Sequence, residues 1–228
     1  MSTASDRLRA KLELAIPAVR AASERIWTSS SVRELYPIWL ATMHGVVRSA
    51  VPLMETARAR AEELAPDDPV AERLVPYLTQ HAPEERGHDR WLLEDLEAAG
   101  GNPEEVLRRA PSPRVASLVG SQYYWIRHQH PVALLGHMAF VEGYPPEQGF
   151  AERLCAATGH PSAAFRAIRR HERLDLRHRE ELFETVDALP LVPEHETLLG
   201  LSALHTAHGA IEVFEEILAS LPAMAVVS

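Results

Sequence analysis

The stretch His171-Glu172-Arg173-Leu174-Asp175-Leu176-Arg177-His178-Arg179-Glu180-Glu181-Leu182 decides how the rest of the chain is read. On an α-helix, residues three and four apart share a face. His171, Asp175, His178 and Leu182 step by four, three and four. Two imidazoles and a carboxylate therefore fall within a sector of roughly 60°. Phe165, Ile168 and Val186 continue that side, while Arg169, Arg177, Glu180 and Glu184 take the positions of a solvated face. A carboxylate on an apolar face is costly unless something offsets its desolvation. Metal-ligand side chains that interrupt a core stripe thus call for a shared partner.

Two further patches repeat the pattern upstream. In Glu84-Glu85-Arg86-Gly87-His88, the residues Glu85, His88, Leu92 and Leu96 step by three, four and four. On a continuous helix the carboxylate and the imidazole lie in line with the leucines. Glu142 follows Leu135 and Met138 on one side of its helix and meets a break at Gly143. Together these give Glu85, Glu142 and Asp175 with His88, His171 and His178. Such a set exceeds the four ligands that close a tetrahedral zinc site. It suits two five- or six-coordinate first-row metals, and iron or manganese prefers the mixed nitrogen and oxygen donors. The bland reading of each patch alone is a hydrogen-bonded core network. A common metal centre accounts for all of them at once, because the apolar faces offer no lysine or arginine.

The remaining sequence is helical throughout. Apolar spacing predicts helices over about 4–27, 32–64, 70–99, 114–129, 131–142, 147–157, 161–188 and 194–220, cut by Pro, Gly and Asp turns. Pro37 and Pro52 are expected to bound or kink the second helix, and Pro76 and Pro83 to bend the third. No stretch alternates as a strand does. The expected architecture is all-α, a single domain over 1–228 with about seven or eight helices. Its 228 residues, 46% hydrophobic, suffice for a core. A formal net charge of -9 argues against nucleic acid or an anionic membrane as partner. The single cysteine, Cys155, excludes an internal disulfide and fits a reducing cytoplasm. No signal peptide or membrane span is expected.

The three-part constellation resembles the heme-oxygenase-like diiron oxidases and oxygenases, a superfamily with the thiaminase II and pyrroloquinoline-quinone synthase folds. Its pattern is a Glu and a His on one core helix, a Glu on a middle helix, and His-x-x-x-Asp-x-x-His later. Glu85 and His88, then Glu142, then His171, Asp175 and His178 match in order and spacing over about residues 75–190. Some relatives place the first Glu seven residues before the His; His81 stands there in this chain. His81 and Glu84 are therefore alternative ligands. The resemblance implies a heme-oxygenase-like bundle holding two iron ions, with dioxygen as cosubstrate. It also implies oxidation of a small molecule by N-oxygenation, C–H or C–C cleavage, in natural-product biosynthesis, and a homodimer.

For the substrate pocket, the candidates are Tyr124 and Arg127 within Tyr123-Tyr124-Trp125-Ile126-Arg127, Arg48 on an early helix, and His208, which lies in line with Leu204, Ile211 and Leu218. The blander reading of the aromatic run is core packing, and of His208 a core hydrogen bond. Two other functions compete. One is a metal-free thiaminase-like or pyrroloquinoline-quinone-synthase-like enzyme. The other is a metal-dependent phosphohydrolase of the HD type, suggested by His88-Asp89 with His44 upstream and Asp175 downstream.

Overall fold

The apolar positions Leu8, Leu12, Val19 and Ile26 form the buried stripe of the first helix, α1 (Ala4–Trp27), in a computed structural model. The model describes residues 2–221, the side chain of Arg173 excepted, so residues 1 and 222–228 of the expected domain lie outside the described residues. The Thr3 hydroxyl accepts from the Asp6 N–H and the Asp6 carboxylate accepts from the Thr3 N–H. This reciprocal cap satisfies two donors that a helix start otherwise leaves open.

Ten more α-helices follow among the described residues: α2 (Val32–Val47), α3 (Ala50–Leu64), α4 (Pro69–Glu84), α5 (His88–Ala98), α6 (Pro103–Arg108), α7 (Pro113–His128), α8 (Ala133–Val141), α9 (Phe150–Thr158), α10 (Arg166–Ala188) and α11 (Pro193–Ala219). A 3-10 turn, Ser162–Phe165, leads into α10. No strand occurs among the described residues, as the all-α reading expects.

The helix count exceeds the seven or eight read from sequence, for local reasons. The expected helix over 32–64 is broken at Arg48-Ser49. Pro52 lacks an N–H and its ring conflicts with the carbonyl four residues back, at Arg48. The expected helix over 70–99 is broken at Glu85–Gly87, and Pro76 and Pro83 both lie inside α4. Gly87 has φ 91°, in the left-handed region where a side chain is strained. Helix α6 escaped the periodicity reading because one and a half turns are too short to show a stripe. Its start was nonetheless written in Asn102-Pro103-Glu104, where the Asn102 side chain accepts from the Glu104 N–H at 3.0 Å.

The helices pack as α11 against α1 and α8, α3 against α4, and α2 against α5, with α10 reaching α5 and α8. Helix α8 is enclosed by its neighbours: every residue from Ala133 to Ala139 is buried. Each fully buried leucine there, such as Leu134 or Leu135, contributes roughly 1.5–3 kcal/mol. None of the described helices is long and apolar enough to cross a membrane.

Candidate metal centre

Four elements converge on one buried cluster: the end of α4, the start of α5, the end of α8 and the middle of α10. Glu142 caps the C-terminus of α8. The chain turns sharply after it, because a Cβ on Gly143 would lie 2.1 Å from the Ala139 carbonyl oxygen. Only glycine permits that turn, and the turn fixes Glu142 toward the centre. Helix α10 is registered on α5 by Asp95, a fully buried carboxylate whose Oδ2 accepts from the Ala167 N–H at 2.8 Å. Burial pushes the Asp95 carboxyl up, and the donors at the α10 start oppose this. The same contact places a negative charge at the positive end of α10. It holds His171, one turn on, facing His88, with ring centroids 5.2 Å apart.

Within the cluster, Glu85 is central. Its Oε2 lies 3.0 Å from His88 Nδ1 and its Oε1 lies 3.3 Å from His178 Nδ1. Glu142 Oε2 lies 3.2 Å from His81 Nε2, and the His81 and His178 rings approach to 4.6 Å. His178 Nε2–H donates to Glu84 Oε2 at 3.2 Å, and Arg177 Nη2 donates to the same oxygen at 2.6 Å. His171 Nδ1–H donates to the Ala167 carbonyl at 2.8 Å, which leaves Nε2 with its lone pair.

The electrostatics are those of carboxyls and imidazoles crowded together out of water. Burial, then the charges of Glu142 and Glu85, push the Asp175 carboxyl up to about 8. Burial also raises Glu142, more than neighbouring His81 lowers it. Burial acts upward on Glu85 as well, but the imidazoles of His178 and His88 outweigh it and hold the carboxyl below its usual range. For His81 and His178, burial works downward and the adjoining carboxylates outweigh it, raising both. His171 is lowered by burial.

Five buried atoms of this cluster make no hydrogen bond: His81 Nδ1 and Nε2, His88 Nδ1, His178 Nδ1 and Glu142 Oε2. Oxygens or nitrogens stand 3.0–3.3 Å from four of them, at angles unsuited to a hydrogen bond. Close packing of unbonded ligand atoms is costly in a metal-free protein and is what a cation would relieve. The residues therefore fit metal ions, and His81, Glu142 and His178 bring ligand atoms within 4.8 Å of one another.

The structure brings Glu85, His88, Glu142, His171, Asp175 and His178 together, and adds His81 to the same cluster. Glu84 borders it, held by Arg177 and His178. Two aromatic neighbours were not foreseen. Trp91 stacks on His88 at 4.0 Å, with the Arg170 guanidinium over the Trp91 ring at 4.2 Å. Tyr77 stacks on His81 at 5.4 Å, and its hydroxyl is buried without a partner. Trp91 and Tyr77 stand three and four residues from these histidines, the helical spacing that would have found them.

A cavity of about 1270 Å³ adjoins the cluster on the side of Glu85, Glu142, His171 and Asp175. The residues expected to line the pocket, Tyr124, Arg127, Arg48 and His208, do not line this cavity. Tyr124 is 59% exposed and packs against His128. Arg127 and His208 are also exposed. Arg48 is exposed at the edge of a separate surface hollow beside Gly45 and Tyr123. The stripe that carries His208 faces outward: Leu204 is 39% exposed, and α11 buries Leu199, Ala203, Thr206, Ala210 and Val213 instead. The HD-type dyad is also divided. His88 points into the cluster, while Asp89 stands 3.9 Å from His44 on α2.

A second group of ligand types, Asp68, His130 and His195, lies apart from the cluster. The Val132 N–H donates to His130 Nδ1 at 3.0 Å, so Nε2 carries the proton and donates to Asp68 Oδ2 at 3.1 Å. That ring has no lone pair to offer a metal.

A family model described as an iron-containing redox enzyme matches residues 39–209. No curated protein matches the sequence. Among solved structures, a domain of unknown function from Shewanella denitrificans OS217 with a heme-oxygenase-like fold is similar, with TM-score 0.80 and 17% identity over 93% of this chain and 91% of that one. A CADD-like protein of unknown function from Nostoc punctiforme PCC 73102 gives TM-score 0.70 and 15% identity over 94% and 97%. A TenA homolog from Pseudomonas syringae pv. tomato DC3000 gives 0.62 and 10% over 91% and 92%. These likenesses establish the heme-oxygenase-like fold.

Proposed function

This chain belongs to a family of iron-containing redox enzymes, and we propose that it is a non-heme diiron oxidase or oxygenase that uses dioxygen to oxidise a small molecule. The observation that carries this reading is the set of buried ligand atoms without hydrogen bonds on His81, His88, His178 and Glu142. His88, His171 and Asp175 would hold one ion, and His81, His178 and Glu142 the other. Glu85, whose two oxygens face His88 and His178, would be shared between them. When bound, a ferrous pair supplies the electrons and the coordination sites for dioxygen reduction.

The chain's own residues do the rest. The Ala167 carbonyl fixes the His171 tautomer so that Nε2 faces outward as a donor to metal. Glu84, itself held by Arg177, accepts from His178 Nε2–H and so leaves Nδ1 of that ring as the donor to metal. Asp175 and Glu142, raised by burial, release their carboxyl protons when they become ligands. Trp91 and Tyr77 cover the outer imidazoles and keep water from that side. The largely apolar cavity holds the body of the substrate against the Glu85, Glu142, His171 and Asp175 side. The oxidation is an N-oxygenation or a C–H or C–C cleavage of a natural-product intermediate. We assign the enzyme to the cytoplasm, consistent with its single cysteine, and to a homodimer by the family resemblance.

The test is anaerobic ferrous titration with iron analysis, followed by stopped-flow absorbance on mixing with dioxygen. About two irons per chain and an oxygen-dependent transient band are expected. Absence of iron uptake together with absence of any oxygen-dependent change would overturn the reading.

A further inference from the structure

His137 stands in the middle of α8, where every other residue from Ala133 to Ala139 is apolar or glycine. It is 6% exposed and lines the cavity. A polar ring in so apolar a helix needs an accounting of both its nitrogens.

The accounting starts from a backbone group. Thr206 Oγ1–H donates to the Ser202 carbonyl at 2.8 Å, which uses the only proton this hydroxyl has. Thr206 Oγ1 can then only accept. His137 Nδ1 lies 3.1 Å from it and is therefore the donor. The Gln122 amide fits the same sense: its Nε2 approaches Thr206 Oγ1 at 3.5 Å, and its Oε1 accepts from Ser202 Oγ at 2.9 Å. A proton on Nδ1 leaves Nε2 unprotonated in the neutral ring. Among the described residues nothing donates to that nitrogen. Burial, reinforced by His205, pushes the ring down to about 4, so it stays neutral.

We infer that His137 Nε2 is a fixed hydrogen-bond acceptor in the substrate cavity, and that the substrate carries a hydroxyl or N–H donor on an otherwise apolar body. That the molecule so held is the one oxidised rests on the proposed function; the acceptor and its selectivity do not. An acceptor that cannot become a donor rejects molecules that offer only lone pairs. The α8 position also sets a distance: His137 precedes Glu142 by five residues, about 7.5 Å of helix at about 1.5 Å per residue. His137 is thus a positioning residue, set to hold the donor group away from the metal cluster.

The experiment compares two isomers, 1-octanol and 1-methoxyheptane, binding to the full chain by isothermal titration calorimetry, with and without iron and always without oxygen. The alcohol can donate and the ether cannot. The alcohol is expected to bind about five- to tenfold more tightly. His137→Phe should bring the two within about twofold while leaving the ether unchanged. Thr206→Val, which frees the tautomer, should weaken the preference without removing the ring. Nitrogen-15 spectra of histidine-labelled protein should give His137 as Nδ1–H with bare Nε2 down to about pH 5.

Equal affinities in the unaltered chain, a preference that survives His137→Phe, or a proton on Nε2 would each overturn the inference. The spectra and the unaltered chain decide the matter even where a variant does not fold. Failure to bind iron with the alcohol preference intact would count against the proposed function alone. Normal iron loading with no preference would count against His137 alone.

Discussion

Glu85 Oε2 lies 3.0 Å from His88 Nδ1 across a helix break, with Gly87 in the left-handed region between them. The pair meets across the short turn Glu85–Gly87 that joins the end of α4 to the start of α5, so no single helix carries both residues. A Cβ on Gly87 would meet only Arg90 side-chain atoms at 3.8 Å, so space is not the constraint. The backbone conformation is. Gly87→Ala is expected to cost about 1–2 kcal/mol, a fall in Tm of roughly 2–8 °C for a chain of this size. Calorimetry on the metal-free chain checks it; an unchanged Tm would mean that the break does not need glycine.

Glu85 touches an imidazole from each half of the cluster, which sets it apart from the other carboxylates. Glu85→Gln keeps the shape and removes the charge. Iron content is expected to drop from about two per chain to one or fewer, and oxygen consumption by at least about tenfold. Asp175→Ala and His171→Ala should behave similarly. Full iron loading in all three would separate this cluster from metal binding.

Much of this site was legible because helical spacing is a local property. His171, Asp175 and His178 share a face within one uninterrupted helix, so the wheel reading needed nothing beyond the chain itself. Glu85 and His88 were grouped correctly for the wrong reason: periodicity cannot sense a left-handed glycine. His81 was kept as an alternative, but its depth in the cluster depends on how α4 meets α8, which is tertiary. The pocket is not legible in Tyr124 and Arg127, because residue type alone does not say which side α7 turns to solvent, and it turns that one. His137 was missed although a lone histidine inside Leu134-Leu135-Gly136-His137-Met138-Ala139 was visible as an anomaly.

Stability of the metal-free chain is expected to fall as pH rises from 6.5 to 8. Asp175 is raised from 3.8 to about 8, so over that interval the folded chain holds a proton that the unfolded chain has released. Stability then declines with pH. Glu142 is raised and acts in the same sense. His81 and His178 are raised above 6.5, so their contribution is whole below 6.5 and is lost as pH climbs through the folded values. The lowered histidines, His44, His130, His137, His171 and His205, oppose this only below 6.5. Glu85 is lowered, and its contribution is complete above 4.5. A loss of about 1–2 kcal/mol, or roughly 2–8 °C in Tm, is expected across the window. Iron should reverse the slope, because ligation releases the same protons. A Tm that rises from 6.5 to 8 without metal would mean that the carboxyls are already ionised.

His81 and Glu84 stand one turn apart on α4 and are expected to fail in different ways. Both His81 nitrogens are buried without a hydrogen bond, and Nε2 faces Glu142. A ligand so placed cannot be replaced by water from outside. His81→Ala should therefore remove one ion, leaving about one iron per chain. His81→Glu supplies another ligand-type oxygen and should retain about two. Glu84 instead accepts from His178 and Arg177 and acts by orienting His178. Glu84→Gln should keep the stoichiometry and weaken ferrous affinity by about tenfold or more. Iron analysis and competitive chelation give both readouts. Full loading of His81→Ala would reduce His81 to a packing residue, and loss of an ion in Glu84→Gln would promote Glu84 from orienting group to ligand.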